Sequence, residues 1–412
     1  MRRREAVGVT RTMQAGLVDT ANGYDGANHQ GGIDRHARLA QEASRITSSE
    51  ACVPSRRITS SEATVLGRNG ASTMTKRRTA TTFIAIAMAL LLLFVAGCGN
   101  NGGSSAGGDS EDAVKIALSP WPGWYMWYLA EEKGFFEKHG VNVKLEFFPV
   151  YSDSLQALAT GKVDANSQTL SDTLAPISKG IKLKAVLVND NSSGGDAIVS
   201  KPDIQSIKDL KGKTVATELG TVDHLLLLTA LAENGMSEKD INYVNMTVND
   251  AGPAFISGNT DASVLWEPFQ TTAVKEGKGK VLYSSKDTPG LIPDLLVFQE
   301  KFVSSRPDDV QKIVDAWFDA LKYFEENEEE AIKLLAEKAE TTPEDFKLGL
   351  EGIKLFSVED NLNAFKKGED YTSLSFTGAK TAEFLKGLDM VDEIKDIDAI
   401  FDPQFVTKNA GK

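Results

Sequence analysis

The chain has 412 residues, with 45 Lys and Arg against 58 Asp and Glu, a formal net charge of −13. That acidic balance argues against a nucleic-acid binder and against adhesion to anionic lipid through a basic patch. Two cysteines and four histidines leave little from which to build a zinc site or a histidine-based catalytic triad.

Residues 1–73 mix Arg, Ser, Thr and Gly without a sustained apolar period. Arg45-Ile46-Thr47-Ser48-Ser49-Glu50-Ala51 recurs as Arg57-Ile58-Thr59-Ser60-Ser61-Glu62-Ala63, and a single short duplication is not a solenoid. This stretch reads as a non-native or disordered extension, with Met74 as the true start. Lys76-Arg77-Arg78 then precedes an uncharged apolar run from Phe83 to Ala96. At about 14 residues it is too short to span a hydrocarbon core of roughly 30 Å and fits the core of a secretory signal. Val95-Ala96-Gly97-Cys98 resembles the bacterial lipobox, with Val95 where Leu is usual. The resemblance implies a signal peptide over 74–97 and a lipid on Cys98 that anchors the exported protein to the membrane.

Residues 1–97 hold 13 Lys and Arg against 7 Asp and Glu, which leaves 32 against 51 from Cys98 onward, a net of −19. Cys52 lies in the removed part, so the mature chain has no disulfide, no thiolate metal site, and only His139 and His224 as histidines. Residues 98–112 are rich in Gly, Asn and Ser and read as a flexible tether with a mean reach of roughly 20 Å.

From Ala113 strands alternate with helices. Val114–Leu118 reads as a buried strand, 122–138 as a helix and 142–148 as a period-two strand. A helix over 152–160, a strand over 163–166, a helix over 171–179 and a strand over 183–188 follow. A second run has strands at 214–217, 243–247, 262–266, 280–284 and 294–299, with helices at 222–234 and 250–257. This rhythm predicts an α/β fold of mostly parallel sheets flanked by helices. The last third is helical. Pro307 stands at a first helical position, and Val310, Ile313, Val314, Trp317, Leu321 and Phe324 recur at helical spacing as core. Thr342-Pro343-Glu344-Asp345 is a second helix start. The acidic run 325–330 reads as a solvated helix end.

In open parallel sheets ligands bind beyond the carboxyl ends of strands, and five such places stand out. The first is Ser119, Trp121, Trp124 and Tyr125. The second is Gln168 with Thr169. The third is Asn189, Asp190 and, past two glycines, Asp196. The fourth is Glu218, Gly220, Thr221 and Asp223, where glycine and a hydroxyl at a helix start leave N–H groups for a ligand. The fifth is Trp266 with Glu267. His224 reads as a packing residue of a first helical turn, and His139 as a partner of a helix C-terminus.

The run Ala130-Glu131-Glu132-Lys133-Gly134-Phe135-Phe136-Glu137-Lys138-His139-Gly140 and the run Ala157-Leu158-Ala159-Thr160-Gly161-Lys162-Val163-Asp164-Ala165 occur in this order. Asp209-Leu210-Lys211-Gly212-Lys213-Thr214-Val215-Ala216 and Trp266-Glu267-Pro268 come after them. Together they resemble the solute-binding lipoproteins of ABC importers in the nitrate, sulfonate and taurine branch (SsuA/THI5-like). The resemblance implies a two-lobed periplasmic-binding-protein fold of type II. Lobe one would take 113–202 and lobe two 203–290, with 291–412 returning to lobe one and adding C-terminal helices. It implies a monomer with no cofactor or metal. Its partners would be a small solute, an ABC permease with its ATPase, and the membrane through the N-terminal lipid, on the extracytoplasmic or periplasmic face. A solute sensor without transport is the alternative. An enzyme related to THI5-like pyrimidine synthesis would need a cysteine-rich stretch that the mature chain lacks.

The charge of the solute divides the evidence. Helix starts at Gly123, Ser171 and Thr221 suit an anion such as nitrate or a sulfonate. The candidate loops, however, carry no Lys or Arg but Asp172, Asp190, Asp196, Glu218, Asp223 and Glu267 beside three tryptophans. Those suit a cationic or neutral nitrogen compound, guanidine- or urea-like.

Overall fold

A computed structural model describes residues 113–411; the signal segment, Cys98 and the tether lie outside the described residues. The strands are β1 (Val114–Leu118), β2 (Val143–Phe147), β3 (Ala165–Thr169), β4 (Leu183–Ser192), β5 (Asp196–Ser200), β6 (Thr214–Thr217), β7 (Asn242–Asn245), β8 (Ala262–Trp266), β9 (Lys280–Ser284), β10 (Pro293–Gln299) and β11 (Ile353–Leu355). They form one sheet in the order β11-β4-β10-β3-β1-β2 and a second in the order β7-β6-β8-β5-β9.

The sheets are mixed, which corrects the expectation of mostly parallel ones. β1 pairs in parallel with β2 and β3, and β6 does so with β7 and β8. β10 runs antiparallel between β3 and β4, and β5 runs antiparallel between β8 and β9. The cause lies in the connections. A parallel neighbour needs a crossover, usually a helix. β5 and β10 instead enter straight from the other sheet, through 193–195 and 285–292. The chain therefore passes from the first sheet to the second at 193–195, before β5.

The expected helix over 122–138 is two, Met126–Glu132 and Phe135–His139. Gly134 between them has φ +68°, a left-handed conformation that ends the first helix at little cost only in glycine. A helix over Phe269–Glu276, strand β5 and strand β11 are additions to the sequence reading.

The helix Pro307–Glu326 buries Val310, Ile313, Val314, Trp317 and Leu321, as its periodicity predicts. Trp317 packs on Trp127 with ring centroids 4.5 Å apart, and Trp127 Nε1 donates to Ser167 Oγ at 2.8 Å. This contact ties the C-terminal helices to the first sheet. Glu328–Glu330 form the first turn of the next helix, where acids are favoured, and Glu330 pairs with Lys133 at 2.6 Å. Among the described residues no helix is long and apolar enough to cross a membrane.

Thr342 caps the helix Pro343–Leu350, its side chain accepting from the Asp345 N–H at 3.1 Å. Thr342→Ala is expected to cost about 1 kcal/mol, a fall in Tm of roughly 2–4 °C in calorimetry. An unchanged Tm would mean that the cap adds nothing to this solvent-facing helix.

Candidate functional site

The described strands bring loops of both sheets to one cavity of about 20 Å³. The first sheet contributes the turn after β1 (Ser119, Pro120, Trp121, Trp124), Tyr151 after β2, Thr169 at the end of β3, and Ile292 and Asp294 at the start of β10. The second contributes Asp196 at the start of β5, Val222 after β6, and Trp266 at the end of β8. Six of these were singled out in the sequence: Ser119, Trp121, Trp124, Thr169, Asp196 and Trp266. Asp294, Tyr151 and Ile292 were not.

The walls are aromatic. Trp124 lies against Tyr151 at 5.5 Å, and Tyr151 meets Trp266 edge-on at 5.5 Å. Because Tyr151 follows β2 and Trp266 ends β8, that contact joins the two sheets. The Tyr151 hydroxyl accepts from the Thr169 N–H at 3.0 Å.

The floor is acidic. Asp190 and Asp294 are register partners on β4 and β10, and their carboxyls lie within hydrogen-bonding reach of each other. Like charges directly opposite destabilise a sheet, so one shared proton is the low-energy arrangement. Asp196 at the start of β5 and Asp223 in the first turn of the helix Val222–Glu233 form a second carboxyl pair. Trp121 Nε1 donates to Asp190 Oδ1 at 3.0 Å. Oδ2 of Asp190, Asp196 and Asp294 and both carboxyl oxygens of Asp223 are buried without a hydrogen-bond partner. Burial pushes Asp190 up to about 7 and Asp196 up to about 6. It raises Asp294 and Asp223 well above the ordinary carboxyl range, the neighbouring carboxylates adding to the effect. These directions follow from removing charge from water without a counter-ion.

Other carboxylates serve the frame. Asp172 accepts from Thr169 Oγ1 at 2.9 Å and from the Val222 N–H at 3.3 Å. It therefore occupies the N-terminus of the helix Val222–Glu233 that the sequence reading offered to an anion. Burial raises Asp172 to about 7 against the pull of those bonds. Glu267 accepts from Thr271 Oγ1 at 2.9 Å and the Thr271 N–H at 3.2 Å, and burial raises it to about 7. Glu218 is buried and raised by desolvation, with Ser152 and the Val248 N–H as partners.

The remaining candidates also stand outside the cavity wall. Tyr125 is stacked on Phe346 at 6.1 Å. Gln168 is bonded to Asn166 and Thr173, and Asn189 accepts from Ser167 Oγ at 3.4 Å. Thr221 Oγ1 donates to the Glu218 carbonyl at 2.9 Å. Gly220 is exposed, its N–H donating to His224 Nδ1 at 3.3 Å. His224 Nε2 then faces Glu238 at 2.6 Å, so this histidine is a packing group with both nitrogens engaged. His139 pairs with Asp319 at 2.6 Å, on the far side of a helix end.

A model of the NMT1/THI5-like family matches residues 121–331. The putative aliphatic sulfonates-binding protein of Bacillus subtilis is 26% identical over 268 residues, 61% of this chain and 77% of that protein. A putative ABC transporter periplasmic binding protein of Brachyspira hyodysenteriae is 25% identical over 264 residues, 59% and 74% of the two chains. The crystal structure of the periplasmic aliphatic sulphonate binding protein SsuA from Escherichia coli superposes with a TM-score of 0.60 at 23% identity, over 72% of this chain and 94% of that one. The shared fold is therefore that of the periplasmic binding proteins. On the family match, which covers half of its length, this chain belongs to the NMT1/THI5-like family.

Proposed function

We propose that this protein is the solute-binding component of an ABC importer, which captures a small polar nitrogen- or sulfur-containing solute and delivers it to a membrane permease driven by an ATPase. The observation that carries the reading is the cavity walled by both sheets. A solute there touches two bodies that the described chain connects at 193–195 and 285–292, so its binding favours the closed arrangement. The two sheets act as the lobes. The names of the relatives support transport rather than catalysis. The protein is not an enzyme. Its finer placement is an exported monomer, held at the extracytoplasmic face by a lipid on Cys98, with the solute held by Ser119, Trp121, Trp124, Thr169, Asp196, Asp294 and Trp266.

The test is thermal unfolding of the full chain against small solutes at millimolar concentration, followed by uptake in cells with and without the gene. A solute at about 100 times its Kd adds roughly 2.7 kcal/mol. Normal uptake of every stabilising solute in the deletion strain would refute the importer reading. Trp266→Ala is expected to weaken solute binding about tenfold or more, since burying a large apolar side chain contributes roughly 1.5–3 kcal/mol. Calorimetric titration reads this loss, and unchanged affinity would remove the second sheet's aromatic wall from the site.

A further inference from the structure

Resting on the solute-binding reading above, we propose that the solute is a small planar organic cation with several N–H donors, held by the carboxyl pairs Asp190 with Asp294 and Asp196 with Asp223 and bound in exchange for their shared protons.

The charge balance comes first. Asp294 and Asp196 line the cavity, Asp190 and Asp223 stand behind them as their partners, and no Lys or Arg is in the wall. Four carboxyls with two shared protons still carry two negative charges in a buried place. A cation with N–H groups that takes the place of a shared proton keeps that positive charge and supplies the missing donors to the orphaned Oδ atoms. The aromatic rings of Trp124, Tyr151 and Trp266 present the faces and edges that accept a flat cation.

A second observation is independent of the acids. Ser119 Oγ and Trp124 Nε1 belong to cavity-lining residues, are buried, and have no partner. They await polar atoms of a ligand or a water it carries; Trp124 Nε1 can only donate, so one of those atoms is an acceptor.

The devices that would hold an anion are already used. The N-terminus of the helix Val222–Glu233 is met by Asp172. The helix Leu170–Ser178 is capped by Thr169, whose side chain accepts from the Asp172 N–H. A sulfonate entering here would displace a carboxylate from one helix end and stand beside four more.

Each cation that enters displaces at least one shared proton, which leaves to buffer. Binding therefore strengthens as pH rises. Asp172, Glu218 and Glu267, the other acids near the cavity, are engaged by donors of the protein and stay in place in both states, as does the Tyr151 hydroxyl.

The experiment is calorimetric titration of the full chain at pH 5.5 and 7.5. The probes are guanidinium chloride at low millimolar concentration, acetamidinium, tetramethylammonium, methanesulfonate, taurine and nitrate. Guanidinium or acetamidinium should bind at least tenfold more tightly at pH 7.5, with proton release seen as heats that change with the ionisation enthalpy of the buffer. Tetramethylammonium, which has no N–H, should bind far more weakly. Asp196→Asn and Asp294→Asn should each weaken the cation about 100-fold and reduce the proton release, and Ser119→Ala provides a milder variant should either fold poorly. Binding of a sulfonate or nitrate alone would overturn the cation and leave the importer reading intact. Absence of binding by every cation, beside a normal uptake requirement for the gene, would overturn it equally. Loss of the uptake requirement is the failure of the importer reading itself.

Discussion

The solute-free protein should be most stable near pH 5 and lose roughly 10 °C of Tm by pH 8. The carboxyls of Asp190, Asp196, Asp223 and Asp294 are raised by burial and by one another. A carboxyl whose folded pKa is raised binds more proton in the native state than in the unfolded chain. Stability then falls as pH rises from the unfolded value near 4 to the folded value, about 6 for Asp196 and about 7 for Asp190. Each extra native proton gives a slope of about 1.4 kcal/mol per pH unit. Two shared protons over about one and a half units give about 4 kcal/mol, which at roughly 2–4 °C per kcal/mol is the stated shift, and Asp172 and Glu267, also raised by burial to about 7, add to the same fall. Surface acids with lowered values, such as Asp319 beside Lys138 and His139 and Asp261 beside Lys201, lose their contribution only as pH falls below the ordinary carboxyl range. They set the acid limb, outside this window. Asp223→Asn or Asp294→Asn should flatten the slope between pH 5 and 8 and raise Tm at pH 8, because one member of each repelling pair becomes neutral. His139 and His224 remain in both variants, so a flattened slope belongs to the carboxyls. A Tm that is level or rising from pH 5 to 8 in the parent chain would contradict the paired acids.

What the sequence made legible was local. Ser119, Trp121 and Trp124 stand out because two indoles at a strand-to-helix turn are costly to leave in water. Trp266 stands out for the same reason, and both turns line the cavity. The parallel cores around β1 and β6 follow from strand–helix alternation. The missed features depend on long-range connection. The rule that ligands sit at the carboxyl ends of parallel strands overlooks β10, which runs antiparallel and brings its amino end, with Asp294, to the same place. β5 does likewise with Asp196; Gly194 and Gly195 ahead of only five strand residues give little local signal for a strand. An acid heading the apolar stretch Leu295–Phe298 was the signal available for Asp294. Thr221 and its helix start looked ready for an anion, and nothing local indicates that Asp172, fifty positions earlier, would fill that end.

Gly123→Ala should weaken solute binding about 100-fold, the larger of the binding effects expected from a single methyl group. A Cβ on Gly123 would lie 2.3 Å from Asp190 Oδ2 and 3.0 Å from Trp121 Nε1, the two groups that bond each other at 3.0 Å. Asp190 is fully buried and faces Asp294 on the adjacent strand, so it cannot swing clear into water. Trp121 is held from its other end by Gly195, where a Cβ would lie 2.6 Å from Trp121 Cη2. Trp121 therefore lies between glycine backbones of the β1 turn and of the passage from β4 to β5, with no slack in either direction. The added methyl must break the Trp121–Asp190 bond or push the indole into the cavity, and both move the wall that meets the solute. A factor of 100 corresponds to about 3 kcal/mol, close to the cost of leaving a buried charged acceptor without its donor. Gly387→Ala is the control, because a Cβ there meets nothing within 4 Å, and its affinity should match the parent. Calorimetric titration with whichever solute stabilises the parent chain decides the matter. Parental affinity in Gly123→Ala, with Trp121 fluorescence unchanged, would show that the Trp121–Asp190 contact supports the fold alone and that the solute is held without it.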